Sequence, residues 1–246
     1  MHKLLTDNPG EKMLLLGNEA IARGAVEAGV AFTSTYPGTP SSEISTNFFH
    51  MARESDLYFE YCTNEKIAME VAAAAANSGV RSMCVMKHVG VNVAADALMT
   101  LAYVGVKGGM VILSADDPFM FSSQNEQDNR HYAHMSYTPV LEPADPAEVY
   151  QFYLAAASLS REKHMPVILR LTTHVCHAKQ RVDFGAWTPA LEDRGPRFDV
   201  DNGPYIPITT RRNDPEIPGR IMAQIATDPA TANAHNSGSL TCPTDS

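Results

Sequence analysis

The sequence predicts an α/β fold, an open parallel sheet with helices on both faces. Three observations lead there. Between residue 13 and about residue 176, short runs of β-formers alternate with segments of helical spacing. Five or six of those runs are short and apolar, as strands covered on both faces are. The apolar share of 44% is that of a chain with a real core.

The elements follow in order. "NEAIARGAVEAG" at 18–29 is Ala-rich with apolar residues at helical spacing, and Gly29 stops it. "VAFTSTY" reads as a strand and "SSEISTNFFHMARES" as a helix. Strand "LYFEYC", helix "EKIAMEVAAAAANSG" and strand "RSMCVMKH" come next, then helix "NVAADALMTLAYVG" and strand "GGMVILSA". After a polar loop come a short strand "TPVLE", a helix from Asp145 and a strand "PVILRLTTHV". Crossovers between parallel strands are right-handed, and ligands of such sheets sit at the carboxyl ends of the strands. The organisation expected is an α/β domain over 12–185, an extended arm over 186–225 rich in Pro, Gly and Asp, and a disordered tail over 226–246. That tail has no Lys or Arg and too few large apolar residues to offset its chain entropy.

Composition removes several function classes. A formal net charge of −9 argues against phosphate-backbone binding, so no nucleic-acid partner is expected. No apolar run reaches about 18 residues and the N-terminus lacks a signal-peptide pattern. The expectation is a cytoplasmic protein without a membrane span. Cys62, Cys84, Cys176 and Cys242 form no CxxC pair, so a self-contained zinc ribbon or iron–sulfur site is not expected, and the first three read as buried thiols.

Four loops at strand ends could carry chemistry. In "STYPGTPSSE", Pro37 and Pro40 stiffen a turn, Gly38 permits close approach, and Ser41 or Ser42 can cap the next helix. From these residues alone the loop is either a capped helix start or a platform that holds Thr39 beside something small. In "CTNEKIAME", Glu65 begins a helix just after a strand. There it either complements the helix dipole or presents a carboxyl group to a ligand. In "MKHVGVNVAADAL", Lys87 and His88 end a strand, Gly90 allows close approach and Asn92 is a candidate cap. The fourth, "SADDPFMFSSQNEQDNRHYAH", crowds about ten polar groups at a strand end, where a solvated loop is the plain alternative.

Other motifs are absent or weak. His131 with His134 could share a helix face, while His174, Cys176 and His177 continue a strand and point to opposite faces. Neither set has an HExxH or a third placed ligand, so no metal site is expected within the chain. There is no GxxxxGK[ST], no GxGxxG after the first strand and no GxSxG.

Taken together, "GNEAIARGAVEAGV", "YPGTPSSEI", "NEKIAMEVAAAAANSG", "MKHVGVNVAADALMTLAY", "GVKGGMVILSADDP" and "SSQNEQDNR" resemble the N-terminal part of the indolepyruvate:ferredoxin oxidoreductase large subunit, in the 2-oxoacid:ferredoxin oxidoreductase superfamily. The resemblance runs from about residue 13 to residue 212, and the "SSQNEQDNR" loop points to the arylpyruvate branch. It implies the pyrimidine-binding domain of a thiamine diphosphate enzyme. A second domain or chain would supply the diphosphate and Mg²⁺ ligands. Iron–sulfur clusters and CoA would belong only to the complete enzyme. Its partners would be diphosphate-binding and ferredoxin-like domains, a second (beta/gamma-type) subunit, and ferredoxin. The family glutamate matches Glu65, whose carboxyl would hydrogen-bond the aminopyrimidine ring nitrogen. Asn92 would be a further cofactor contact. Thr39 would line the substrate pocket, with Gln124 and Arg130 as further substrate contacts.

Two departures qualify the match. Relatives of the pyruvate type carry an arginine near the start of the strand that here begins with Gly108 and Gly109. A smaller residue there would be expected to make room for an aryl group, and it leaves the substrate carboxylate without an assigned cation. The GDG-type metal loop and clustered cysteines of the complete subunit are missing from these 246 residues. The expectation is therefore a component inactive alone, either a truncated fragment or one whose partner chain carries those parts. The alternative is a standalone small-ligand-binding or interaction module on the same fold.

Overall fold

A computed structural model describes residues 2–187. Six strands form one parallel sheet: β2 (Phe32–Thr35), β3 (Tyr58–Tyr61), β4 (Ser82–Lys87), β5 (Met110–Asp116), β6 (Val140–Leu141) and β7 (Pro166–Thr172), in the spatial order β3-β2-β4-β5-β7-β6. The predicted parallel α/β sheet is thus present. A separate antiparallel pair joins β1 (Lys12–Leu16) to β8 (Lys179–Asp183).

Side-chain alternation along the central strands feeds two apolar layers. Met83, Val85, Val111, Leu113, Val167 and Leu169 point to one face, where α1 (Gly17–Glu27), α2 (Ser42–Met51) and α6 (Pro146–Lys163) pack. Cys84, Met86, Met110, Ile112 and Ile168 point to the other, covered by α3 (Glu65–Asn77) and α4 (His88–Val104). Every residue of β5 is buried, as a strand covered on both faces must be. Leu4 and Leu5, ahead of the first strand, also join the core.

Local chemistry explains the helix starts. The Asn64 side chain accepts from Ile67 N–H at 3.0 Å and fixes the first turn of α3. Asp145 accepts from Ala147 and Glu148 N–H, both at 2.9 Å, ahead of Pro146 at the first helical position of α6.

Several expectations are corrected. Helix α4 begins at His88, so Asn92 lies inside it and caps nothing. The Ser41 hydroxyl does not cap α2; it donates back to Gly38 O at 2.9 Å and closes the preceding turn. The polar loop contains a helix, α5 (Arg130–Ser136), hidden because only Ala133 and Ser136 of it are buried, too little for an apolar stripe. Residues 173–177 are a short helix, α7 (Thr173–His177), and not a continued strand. Cys62, Cys84 and Cys176 are buried free thiols as read. The expected arm from residue 188 onward, the tail and Cys242 lie outside the described residues.

Candidate active site

The chain leaves β2 toward β3 on one side, and β4 returns on the other side of β2. The carboxyl ends of β2 and β4 therefore flank the point where strand order reverses, the usual ligand crevice of an open α/β sheet. Four segments meet at this edge: residues 36–41 after β2, the start of α3, the β4–α4 junction and the loop after β5.

Glu65 opens α3 and is buried, 8% exposed. Its side chain lies directly against Gly90. A Cβ on Gly90 would stand 2.6 Å from Glu65 Cγ and 2.7 Å from Oε1, closer than real contacts allow. Among the described residues no hydrogen bond or ion pair engages its carboxyl group. A buried carboxyl group without a protein partner is costly unless something else satisfies it.

The turn at 36–41 is braced from below. Asn18, fully buried on α1, donates to Pro40 O and to Glu43 Oε2, each at 2.8 Å. Thr35 donates to Val85 O at 3.0 Å and shares a hydrogen bond with Ser45. The Thr39–Pro40 peptide is cis, and Thr39 itself is exposed. Gly38 lies on the stem of Lys87, where a Cβ would come 2.7 Å from Cδ. The 36–41 turn and the Glu65 cradle are thus joined through residues 87–90.

The loop after β5 is held by polar side chains. Asp117 accepts from Ser122 N–H and Ser123 Oγ–H at 2.7 Å and from Thr173 Oγ–H at 2.9 Å. Burial acts to raise its pKa, but these donations outweigh it and hold the carboxyl below the usual aspartate range. Gln127 Nε2 donates to His88 O at 2.8 Å and to Asn129 Oδ1 at 2.7 Å. Asn129, 1% exposed, donates to His88 O at 3.1 Å and to Ser114 Oγ at 2.6 Å. His88 is fully buried with Nε2 2.9 Å from Asn125 O. A carbonyl can only accept, so Nε2 carries the proton, and Nδ1 has no partner among the described residues.

Other expected site residues stand differently. Asn92 is exposed on α4, and its amide is occupied by Gln127 at 2.8 Å and by the Tyr132 hydroxyl. Gln124 is exposed in the loop. Arg130 is taken up by carboxylates, with Glu142 at 2.6 and 2.7 Å and Asp128 at 2.8 Å. The hydrogen bond to Glu142 pushes its already high pKa further up. Arg170 lies buried nearby, 2.7 Å from Asp116. Burial raises the Asp116 pKa against the pull of Arg170. The structure thus links the 36–41 turn to Lys87 at Gly38 and Glu65 to α4 at Gly90, while Asn92 and Arg130 spend their polar groups on neighbours. His131 and His134 are exposed on α5, and among the described residues no group of three His, Cys, Asp or Glu could hold a metal ion. No described helix is long and apolar enough to cross a membrane.

Sequence reasoning missed Asn18, Gln127 and Asn129. The last two sat in the loop singled out for its density of amides, but nothing in a polar run says which amide turns inward.

Residues 23–237 match the family described as pyruvate flavodoxin/ferredoxin oxidoreductase, thiamine diP-bdg. An indolepyruvate oxidoreductase subunit IorA of Methanothermobacter thermautotrophicus is 51% identical over 211 residues, which are 86% of this chain and 34% of that protein. Its counterpart in Thermococcus kodakarensis is 53% identical over 182 residues, 74% of this chain and 28% of that protein. A 2-oxoglutarate synthase subunit KorA of M. thermautotrophicus is 28% identical, covering 85% of this chain and 57% of that protein. The chain thus spans about a third of the length of the IorA relatives. A solved 2-oxoglutarate:ferredoxin oxidoreductase from Magnetococcus marinus superposes with a TM-score of 0.72 over 94% of this chain and 46% of that one, at 14% identity, a likeness of fold.

Proposed function

Because the chain belongs to the thiamine diphosphate-binding family of pyruvate flavodoxin/ferredoxin oxidoreductases, we propose that it forms the pyrimidine side of the cofactor site in an enzyme that oxidatively decarboxylates arylpyruvates such as indolepyruvate. The products would be an acyl-CoA and reduced ferredoxin. The aryl specificity rests on the relatives named as indolepyruvate oxidoreductase subunits. The diphosphate and Mg²⁺ ligands, the iron–sulfur clusters and the CoA site are assigned to other domains or chains, and the assembly to the cytoplasm.

The observation that carries this reading is Glu65: a largely buried carboxyl group, without a described protein partner, resting on a glycine that leaves room beside it. That donor set fits a heteroaromatic ring with a basic nitrogen. Glu65 would hold a proton at that nitrogen, and Gly90 would let the ring lie close to the α4 backbone. The braced 36–41 turn would hold Thr39 over the reacting carbon and limit water. When bound, thiamine diphosphate supplies the nucleophilic carbon and the electron sink for decarboxylation.

Thiamine diphosphate titration of the chain, alone and with a polypeptide carrying a GDG-type metal loop, tests the assignment. Binding absent from both mixtures would remove it. In the assembled enzyme, Glu65→Gln is expected to lower turnover by at least about a hundredfold with an unchanged unfolding temperature. Near-normal turnover would refute the role given to Glu65.

A further inference from the structure

A 2-oxoacid substrate carries a carboxylate, and the sequence left its cationic partner without a candidate. Four cations stand near the carboxyl edge of the sheet. Arg130 is held by Glu142 and Asp128, Arg170 by Asp116 and Glu142, and Lys66 by Asp96 at 3.2 Å and Glu70 at 3.8 Å. Lys87 is different. Its ammonium donates to one backbone carbonyl, Ser122 O, at 2.9 Å, and among the described residues no carboxylate pairs with it.

We infer that Lys87 is the residue that binds the carboxylate of the 2-oxoacid. Its side chain is half-buried and reachable, and an ammonium with three donors keeps free capacity after serving one carbonyl. Its stem crosses Gly38, the neighbour of Thr39, with no room for a Cβ between them. Three residues further on, Gly90 carries Glu65. Lys87 thus stands between the turn assigned to the substrate and the carboxyl group assigned to the cofactor. Its tie to Ser122 links it to the loop that also carries Phe119 and Phe121, exposed by 78% and 77% with ring centroids 6.2 Å apart. A substrate anchored by its carboxylate at Lys87 can direct an aryl group toward those rings.

This inference rests on the 2-oxoacid reading, and its test separates the two. In the assembled enzyme saturated with thiamine diphosphate, Lys87→Met keeps the stem over Gly38 and removes the charge, while Lys87→Arg keeps the charge. Phenylpyruvate is compared with its carboxamide, which lacks the carboxylate and is scored as a competitive inhibitor. Lys87→Met is expected to raise KM and Kd for phenylpyruvate roughly ten- to a hundredfold, the range of a charge-assisted hydrogen bond. Affinity for the amide should stay within about twofold, and Lys87→Arg should recover most of the loss. Unchanged phenylpyruvate affinity in Lys87→Met overturns the inference. So does an equal loss for acid and amide, which would mark Lys87 as packing for the turn. Failure of the parent reading shows earlier and separately, as wild-type enzyme that takes up no thiamine diphosphate, and removes this inference with it.

Discussion

Replacing Gly90 by Ala separates the site from the fold. The added Cβ would lie 2.6 Å from Glu65 Cγ and 2.7 Å from Oε1, where unstrained carbon contacts are about 3.5–4.0 Å apart. About 1 Å must be found. Gly90 is the third residue of α4, so the helix backbone yields less readily than the Glu65 side chain, and the carboxyl group moves. For stability the terms nearly cancel. Ala gains about 0.5–1 kcal/mol over Gly within a helix, and a displaced rotamer costs about 0.5–1.5 kcal/mol. At roughly 2–4 °C per kcal/mol for a domain of this size, the melting temperature should move by only a few degrees. Function should not be spared, because a 1 Å misplacement of a reacting group can cost on the order of a hundredfold. Scanning calorimetry on the chain, with thiamine diphosphate titration and turnover of the assembled enzyme, reads both halves. Unchanged cofactor affinity and turnover in a folded Gly90→Ala protein would refute the reasoning. A drop well beyond a few degrees would show that the helix, and not Glu65, absorbs the collision.

Two further outcomes follow from buried charge. Glu27, 3% exposed, takes hydrogen bonds from Arg23, Tyr150 and, at 3.0 Å, Gly185 N–H. Glu27→Ala leaves Arg23 charged and buried, a loss of about 3–5 kcal/mol or roughly 6–20 °C in melting temperature, and a shift under about 2 °C would contradict the network. The folded-state pKa of Asp117 lies below the reference value of 3.8, so its contribution to stability is present above that value and lost as pH falls through the folded one. The unfolding free-energy difference between wild type and Asp117→Asn should therefore shrink on acidification in urea titrations. A difference that is constant with pH would exclude the linkage.

The strands were legible because β4, β5 and β7 each carry a short apolar run, such as Met110–Leu113 and Val167–Leu169, between turn or helix signals, and burial on both faces favours that pattern. Helix α4 was read four residues short because Asn92 looks like a cap and His88 like the end of a strand. Gly90 was legible as a place of close approach, but that Glu65 is what lies against it is a tertiary fact that local propensity does not carry. Glu65 itself was legible as a position, at a strand end and a helix start. Its isolation from protein partners was not, since that depends on Gly90, 25 residues away in sequence. Arg130 illustrates the converse. Its place as a substrate contact comes from the resemblance, and no local pattern shows that Glu142, just past β6, and Asp128 of the loop hold it.

The pairing of β1 with β8 joins the two extremities of the described chain to each other and not to the main sheet. Gly10 N–H reaches Phe184 O at 2.7 Å and Phe184 N–H returns to Glu11 O at 2.8 Å, extending the same seam. Mechanically this is a buckle. Tension on the chain past Gly185 is borne first in shear along the seam and at the Glu27 carboxylate, before it reaches α7 and β7. The path from the seam to the crevice is short, because Asn18, two residues past the end of β1, braces the 36–41 turn.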